Sequence, residues 1–167
     1  MRYAAETSVP IESSKAEIER TLRKYGAARF MSGWDEAADG SSARAMIGFE
    51  MHNRQVRFVL PMPSQRDPVF THYQHSNRST LCARKPAAAM AAWEQACRQR
   101  WRALNLVIKA KLEAVECGII LFEEEFLAHI VLPNNKTDGE FLIPQIEAAY
   151  ESKSTPKMLP FLEGKKL

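Results

Sequence analysis

The longest stretch of the chain without proline or glycine runs from Ala87 to Cys117, and it constrains the fold more than any other feature. Pro86 suits the first turn of a helix, because its missing N–H would have no intrahelical partner there. Gly118 is a natural stop, since glycine accepts the left-handed conformation that often follows a helix. At about 1.5 Å per residue, the segment predicts a helix roughly 45 Å long. Its buried stripe is predicted to consist of Trp93, Cys97, Trp101, Leu104, Ile108, Leu112 and Val115.

Two segments before this helix alternate apolar and polar residues with a period of two, which is typical of half-buried strands. Residues 43–51 and 54–60 are joined by His52-Asn53, and asparagine tolerates the positive φ of a tight turn. We therefore expect an antiparallel hairpin that ends at Pro61, because proline cannot donate to a strand ladder. Its buried face is predicted to consist of Ala45, Ile47, Phe49, Met51, Val56, Phe58 and Leu60.

Shorter helices are predicted on both sides of these elements. Ser14 to Glu17 has the spacing of a capping box, in which each side chain binds the other residue's free backbone N–H. An apolar stripe follows, and Gly26 ends this first helix. Residues 122–131 also carry apolar residues at helical spacing. A second capping box, Thr137 to Glu140, opens a last helix that Pro144 should kink or restart.

With residues 29–34 as a weaker first strand, the predicted fold class is α+β with an αβββα-like order. A three-stranded antiparallel sheet is expected to be covered by the long helix and followed by two shorter C-terminal helices. Residues 1–151 are expected to form a single α+β domain, residues 152–167 a loosely ordered basic tail, and residues 64–85 a long surface loop. Double-stranded-RNA-binding domains share this order, but the basic cluster that begins their second helix is missing here.

Composition narrows the functional class without fixing it. The net charge of +3 is a mild basic bias, which permits a nucleic-acid partner without requiring one. No apolar run approaches the ~20 residues of a membrane helix, and the N-terminal residues lack the apolar core of a secretory signal. The three cysteines form no Cys-x-x-Cys pair, which favours a reduced, cytoplasmic setting. No membrane association is expected, and a homo-oligomer is left open.

Two clusters suggest metal binding or catalysis, and a simpler interpretation is favoured for each. His72 and His75 lack the second ligand pair of a zinc site, so an exposed polar loop is expected, with no metal or cofactor. Glu125 and His129 lie four residues apart on a predicted helix, as in an acid–base pair. The run of glutamates at 123–125 is better explained by the positive end of the helix dipole. No catalytic motif accompanies either cluster, so no catalytic residue is assigned.

The basic residues carry the functional prediction. Arg44 and Arg57 occupy the polar face of the predicted hairpin, where they can lie opposite each other. Like charges that face each other across a sheet repel unless an anion lies between them, so phosphate or an acidic side chain would relieve the repulsion. The alternative is a solvated face neutralised by Glu50, Glu94 and Glu113. The candidate binding residues, for nucleic acid or an acidic partner, are Arg29, Arg44, Arg57, Arg98, Arg100 and Arg102.

Segments spread over most of the chain carry a resemblance to a protein family. They are residues 2–10, 17–22, 25–27, 30–34, 54–61, 92–104, 126–133 and 144–146. In these segments the chain resembles small proteins encoded by tailed bacteriophages and prophages, usually without assigned function. The resemblance implies a phage protein in the cytoplasm of an infected bacterium, and it carries over no catalytic residue.

Three hypotheses follow, because a small phage protein without catalytic apparatus usually works by binding. The first is a non-catalytic, nucleic-acid-contacting accessory factor of phage DNA metabolism, which needs a contiguous basic surface to bind DNA or RNA. The second is an inhibitor of a host protein, such as an antiviral defence component, which needs exposed aromatic or methionine anchors. The third is a metal-dependent hydrolase or nuclease built on His72, His75 and residues 123–125, which needs these groups to converge in one cleft.

Overall fold

The computed structural model describes residues 4–36, 43–74 and 81–153. β1, β2 and β3 form a three-stranded antiparallel sheet in that order, and β4 pairs with β5 in a separate hairpin. The predicted α+β class is confirmed, with its three-stranded sheet, long helix and C-terminal helices. None of the helices in the described ranges has the length and apolar character needed to cross a membrane. In chain order the elements are α1 (Ile11–Lys24), β1 (Arg29–Glu36), β2 (Ala43–Met51), β3 (Arg54–Met62), α2 (Pro68–Thr71), β4 (His72–Gln74), β5 (Leu81–Ala83), α3 (Pro86–Glu116), α4 (Phe122–Phe126), a 3₁₀ turn (Leu127–His129) and α5 (Asp138–Ser152).

β2 and β3 form the hairpin that their alternation predicts. His52 and Asn53 both have positive φ, of 49° and 58°, the conformation that a two-residue hairpin turn requires. Ile47 lies directly opposite Phe58, and both side chains are buried, so the predicted register is confirmed. β3 continues through Pro61, beyond the expected end, because proline is tolerated on an edge strand.

One face of the sheet packs against α1 and α3 to form the hydrophobic core. Phe126 of α4 completes the core, and its ring meets those of Phe49 and Phe58 edge-on at centroid distances of 5.9 and 6.3 Å. The other face of the sheet, called here the outer face, carries the exposed side chains of Met31 and Met46. The residues that the helices and strands contribute to the core are Ile18, Leu22, Ala45, Ile47, Phe49, Met51, Val56, Phe58, Trp101, Leu104, Ile108, Leu112, Phe122, Phe126 and Ile130.

α1 begins earlier than the capping-box spacing predicts. Pro10 precedes the first helical residue, Ile11, and the amide of Ser14 already donates to the carbonyl of Pro10 at 3.1 Å. Ser14 is fully buried inside the helix, on the same face as Ile18 and Leu22. The predicted cap at Ser14 is therefore wrong, because this serine serves as a small residue where α1 meets the core.

The described parts of residues 64–85, which are 64–74 and 81–85, are not the continuous long surface loop that their polarity predicts. They include α2 and the β4–β5 hairpin, and the buried ring of Phe70 anchors α2. The amide of Arg84 donates to the carbonyl of Thr71 at 2.7 Å, which closes the hairpin against α2. Elements of three or four residues are too short to show a period in sequence. Residues 75–80, including His75, lie outside the described residues.

The helix predicted over residues 122–131 ends early. α4 stops at Phe126, a 3₁₀ turn follows, and the chain then reaches the edge of the sheet. There Ile130 forms a bridge with Val56, and the amide of Val131 donates to the carbonyl of Gln55 at 2.8 Å. Hydrogen bonds to the sheet replace those of a last helical turn, so the predicted end of this helix is wrong.

α5 begins at its predicted capping box. The amide of Glu140 donates to the hydroxyl of Thr137 at 3.2 Å, and the amide of Thr137 donates to the carboxylate of Glu140 at 2.7 Å. The helix runs through Pro144 as one element to Ser152. Residues 154–167, most of the predicted basic tail, lie outside the described residues.

Candidate nucleic-acid interface

Three of the six candidate arginines, Arg29, Arg44 and Arg57, lie on the strands, and their sheet register places them on the outer face. Arg44 and Arg57 do not face each other. Arg44 lies opposite Pro61, whereas Arg57 lies opposite Gly48. The prediction that they can lie opposite each other is wrong, because the hairpin register separates them along the sheet. No repulsion between this pair calls for an anion.

Two of these arginines are engaged within the fold. The side chain of Arg57 is only 17% exposed, and it donates to the carbonyl of Asn135 at 2.8 Å and to the carboxylate of Glu140 at 3.2 Å. Arg29 lies 3.3 Å from the carboxylate of Glu50 across the β1–β2 ladder. Arg57 therefore joins β3 to the start of α5, and a ligand would have to displace those contacts to reach it.

Two of the arginines on α3 also have carboxylate partners. Arg98 pairs with Glu94 at 3.6 Å, and Arg102 forms an ion pair with Glu17 that joins α3 to α1. Two of the three glutamates expected as counter-ions are therefore in place, Glu50 and Glu94. The third, Glu113, instead accepts a hydrogen bond from the hydroxyl of a tyrosine that follows α1. The six arginines do not form one contiguous basic surface, because half of them lie on the outer face and half on α3 across the sheet.

The remaining two candidates, Arg44 and Arg100, are brought to one place. Arg100 reaches from α3 to donate to the carbonyl of Pro61, the residue that Arg44 faces across the ladder. Two turns earlier on α3, Trp93 donates from its indole nitrogen to the carbonyl of Pro63 at 2.8 Å. Arg100 and Trp93 thus clamp the end of β3 against α3 and shape a cleft beside it.

All three tryptophans of the chain line this cleft, which has a volume of about 460 Å³. Trp34 lies near the end of β1 and is 74% exposed, whereas Trp101 on α3 is buried. Trp93 also lines the cleft, and its indole is fixed by the bond to Pro63. We call this site the tryptophan cleft. It offers one large exposed aromatic face beside two that are held in place.

Cations outnumber carboxylates along the tryptophan cleft. Lys15, Arg44 and Arg66 line it, and of the described residues in its lining Glu12 alone carries a carboxylate. The ammonium of Lys15 lies 5.1 Å from the centre of the Trp101 ring and 3.0 Å from the Glu12 carboxylate. The cleft thus combines aromatic faces with a net positive rim, an arrangement that suits bases and phosphates together.

Cys97 contributes a thiol to the lining of the cleft, and its environment suppresses its reactivity. Burial raises the pKa of the Cys97 thiol to about 11. The thiol therefore stays protonated at neutral pH, whereas the thiolate is the form that attacks.

The described residues singled out for metal or acid–base chemistry, which exclude His75, do not converge. His72 contacts the hydroxyl of Thr71 through Nδ1 at 2.9 Å, whereas Glu125 pairs with Lys111 at 2.7 Å. His129 stacks on Phe58 at a centroid distance of 4.0 Å. Because the helix ends at Phe126, the predicted placement of Glu125 and His129 on one helical face is wrong. Within residues 4–36, 43–74 and 81–153, no three His, Cys, Asp or Glu side chains group together as a metal site would need.

His129 should make the stability of the fold depend on pH. Burial lowers the pKa of His129 below its ordinary value, and the charge of Lys111 lowers it further. The unfolded chain then binds the proton more readily, so this stabilisation is complete above about pH 6.5 and is lost as the pH falls. We expect the Tm to decrease as the pH drops below that value, and His129→Phe, which keeps a ring against Phe58, to flatten this part of the curve. Thermal unfolding followed by circular dichroism measures it, and identical curves for both proteins would contradict it.

Sequence reasoning missed the tryptophan cleft. Trp93 and Trp101 match the buried stripe of α3, and nothing in the strand pattern links them to Trp34. The available signal was their separation by about two helical turns, which puts both rings on one face of α3. Comparison with protein-family models, with curated proteins and with solved structures gave no match.

Proposed function

We propose that the protein binds single-stranded nucleic acid in the tryptophan cleft, as a non-catalytic accessory factor of phage DNA metabolism in the cytoplasm of an infected bacterium. The phage setting comes from the sequence resemblance alone. One observation supports the binding function: all three tryptophans line one cleft with Lys15, Arg44 and Arg66. Of the six arginines predicted from the sequence, the proposal retains Arg44 at the cleft and Arg100 beside it.

The physical case rests on stacking and charge acting together. Each base that stacks on an aromatic side chain contributes roughly 1–3 kcal/mol to the binding free energy. All four bases can stack in this way, because every base has a π-face. Trp34 presents the exposed ring that such stacking needs. Lysine and arginine at the rim neutralise phosphates and release condensed counterions, so affinity should fall as salt rises. A net charge of +3 and one short cleft imply modest affinity with little sequence preference.

The test is the binding of a fluorescently labelled oligothymidylate, followed by anisotropy at low and moderate salt. We expect Trp34→Ala to weaken binding about tenfold or more, because it removes the exposed stacking surface. Replacing Arg44 and Arg66 together by glutamine should weaken binding. It should also reduce the slope of the logarithm of the binding constant against the logarithm of the salt concentration by the amount expected for about two phosphate contacts. Since every tryptophan lines the cleft, quenching of intrinsic fluorescence should report the same titration.

Two matched controls separate the cleft from general effects. Tyr150→Ala removes an aromatic residue that is 83% exposed on α5, and Arg23→Gln removes an exposed cation on α1. Neither residue lines the cleft, so both variants should bind like the native protein. No binding at low salt, or equal loss in Trp34→Ala and Tyr150→Ala, would refute the proposal.

A second candidate function, inhibition of a host protein, is favoured by the outer face of the sheet. Met31, Met46 and Val59 are exposed there on neighbouring strands. Met31 and Met46 border a groove of about 280 Å³ whose rim includes Arg29 and Arg57. Flexible methionines suit a protein partner, since they adapt to its shape. Tight capture of a host protein from nuclease-treated lysate, with no nucleic-acid binding at low salt, would favour this candidate.

A further inference from the structure

The two edges of the three-stranded sheet are treated differently. The β3 edge is covered, because Val131 donates to Gln55, Ile130 bridges to Val56 and Arg100 binds the carbonyl of Pro61. The β1 edge is not: within the described ranges, β1 pairs with β2 alone. Among the described residues, the sheet therefore has one protected edge and one free edge.

The free edge lacks most of the features that keep sheet edges from pairing. Natural edge strands carry charged side chains (above all lysine), proline or a bulge, or they are very short. The charged residues of β1 are confined to its two ends, Arg29 at one and Asp35 and Glu36 at the other. β1 has eight residues, contains neither lysine nor proline, and follows an unbroken register with β2. Met31 is 66% exposed on one of its faces, and Trp34 is exposed on the other. Such a strand is a template for another β-strand.

We propose that a second copy of this chain occupies the free edge, with the two β1 strands antiparallel about a twofold axis at Ser32. The axis is perpendicular to the sheet, so it keeps the outer faces of both copies on the same side. Residues that lie opposite each other must then come from the same face of β1. Residues of one face are separated by an even number of positions, so the axis passes beside a single residue of β1 and its copy, and not between two neighbouring residues. The product is a continuous six-stranded sheet, counting three strands from each copy.

The residues of β1 are self-complementary about Ser32. On the outer face, Arg29 of one copy lies opposite Asp35 of the other, and this opposite-charge pair occurs twice. On the core-side face, Phe30 lies opposite Trp34, an aromatic pair of the kind that stabilises antiparallel strands. Each Arg29 is 75% exposed despite its contact with Glu50, so it remains accessible to a second carboxylate.

The alternative axis, at Gly33, gives a poorer match. It places Met31 opposite Asp35, so an apolar side chain faces a carboxylate. The axis at Ser32 instead places Met31 beside Gly33, where nothing lies within 4 Å of an added Cβ and the long side chain has room. Charge and shape thus favour the axis at Ser32 over the axis at Gly33.

The dimer does not rest on the proposed function. Trp34 takes part in both proposals, whereas Arg29 and Asp35 lie on the outer face and do not line the tryptophan cleft, so variants at these two positions measure dimerisation apart from nucleic-acid binding. A monomer that binds nucleic acid would contradict the dimer alone, and a dimer that does not bind nucleic acid would contradict the proposed function alone.

The first test uses two charge variants, Arg29→Glu and Asp35→Lys, and measures mass by light scattering during gel filtration. At the interface each variant alone places like charges opposite each other twice, so its dimer should dissociate at a concentration where the native dimer persists. Each variant also faces a like charge across its own β1–β2 ladder, Glu50 for Arg29→Glu and Arg44 for Asp35→Lys, and recovery in the mixture separates the two effects. An equimolar mixture should recover the dimer. In the mixed pair the introduced glutamate lies opposite the introduced lysine, and the native Asp35 of one copy lies opposite the native Arg29 of the other.

Circular dichroism checks that both charge variants are folded, so that a loss of the dimer is not mistaken for a loss of the fold. A native protein that is monomeric at all concentrations, or a mixture of the folded variants that stays monomeric, would overturn the proposal.

The second test places a cysteine on the proposed axis. Residues directly opposite in an antiparallel pair have Cα atoms about 4.5–5.5 Å apart, within disulfide range. In a background with Cys82→Ser and Cys117→Ser, mild oxidation should crosslink Ser32→Cys into a dimer, whereas Val59→Cys on β3 should stay uncrosslinked. Equal crosslinking of the two, or none at position 32, would overturn the register.

Discussion

Replacing Phe126 by alanine is expected to lower the free energy of unfolding by about 3–5 kcal/mol, the range for large aromatic residues in well-packed cores. Phe126 is fully buried. Its ring contacts those of Phe49, Phe58 and Phe122, the last at a centroid distance of 4.8 Å. The substitution removes the shared partner of three aromatic rings and leaves a cavity between the sheet and α4.

The neighbouring residue supplies the control for this experiment. Leu127 is 48% exposed, so Leu127→Ala deletes apolar bulk without opening the core. It should cost less than about 1 kcal/mol, as exposed substitutions usually do. Urea unfolding at neutral pH compares the two variants with the native protein. Equal losses for Phe126→Ala and Leu127→Ala would show that α4 is not part of the core.

Replacing Gly139 by alanine is expected to destabilise the fold by about 1–3 kcal/mol, because it forces an extra methyl group into a close contact. A Cβ at this position would lie 2.7 Å from the carbonyl oxygen of Ala128 in the 3₁₀ turn. That atom belongs to the backbone, so the helix has to move. Moving α5 also disturbs Glu140, whose carboxylate binds both Thr137 and Arg57.

Gly33→Ala is the matched control for Gly139→Ala, since nothing in the same chain lies within 4 Å of the added methyl group on β1. The comparison is made at a concentration where the proposed dimer is dissociated, because Met31 of a second copy would lie beside this residue. It should leave the Tm nearly unchanged, whereas Gly139→Ala should lower it by several degrees. Thermal unfolding by circular dichroism measures both. Equal Tm values for Gly139→Ala and the native protein would mean that α5 does not dock through this glycine.

The elements predicted correctly from the sequence are those whose signals are local and repeated. The alternation through β2 and β3, the absence of proline and glycine along α3 and the Thr137–Glu140 box each report the conformation of their own segment. The capping box at Ser14 was wrongly predicted, because Ser14 and Glu17 have the right spacing for one. Ser14 is instead a small, buried residue inside α1, where the helix packs against the core. β4 and β5 were missed because three-residue strands show no period, and contacts with α2 hold them.

The candidate site was harder to predict, because it depends on distances between segments. The sequence indicated which arginines were available, but the partners of Arg57 and Arg102, which tie them into the fold, come from residues far along the chain. The tryptophan cleft needs β1 and the first half of α3 to meet at one end of the sheet. The spacing of residues within β1 or within α3 does not indicate that these two segments lie close together.

Phe126, whose ring lies at the centre of the core, comes late in the chain, and this has a consequence for folding during synthesis. β1, β2 and β3 are consecutive and pair with their neighbours, so the sheet can form early during synthesis. Its apolar face is closed by α3 and then by Phe126, which leave the ribosome only after the strands are complete. Until then a ribosome-bound sheet lacks the contacts with α3 and α4 that help to bury Ile47, Phe49 and Phe58 in the folded protein. Because transiently exposed apolar surface promotes aggregation, we expect the interval between completion of β3 and arrival of α4 to be sensitive to it.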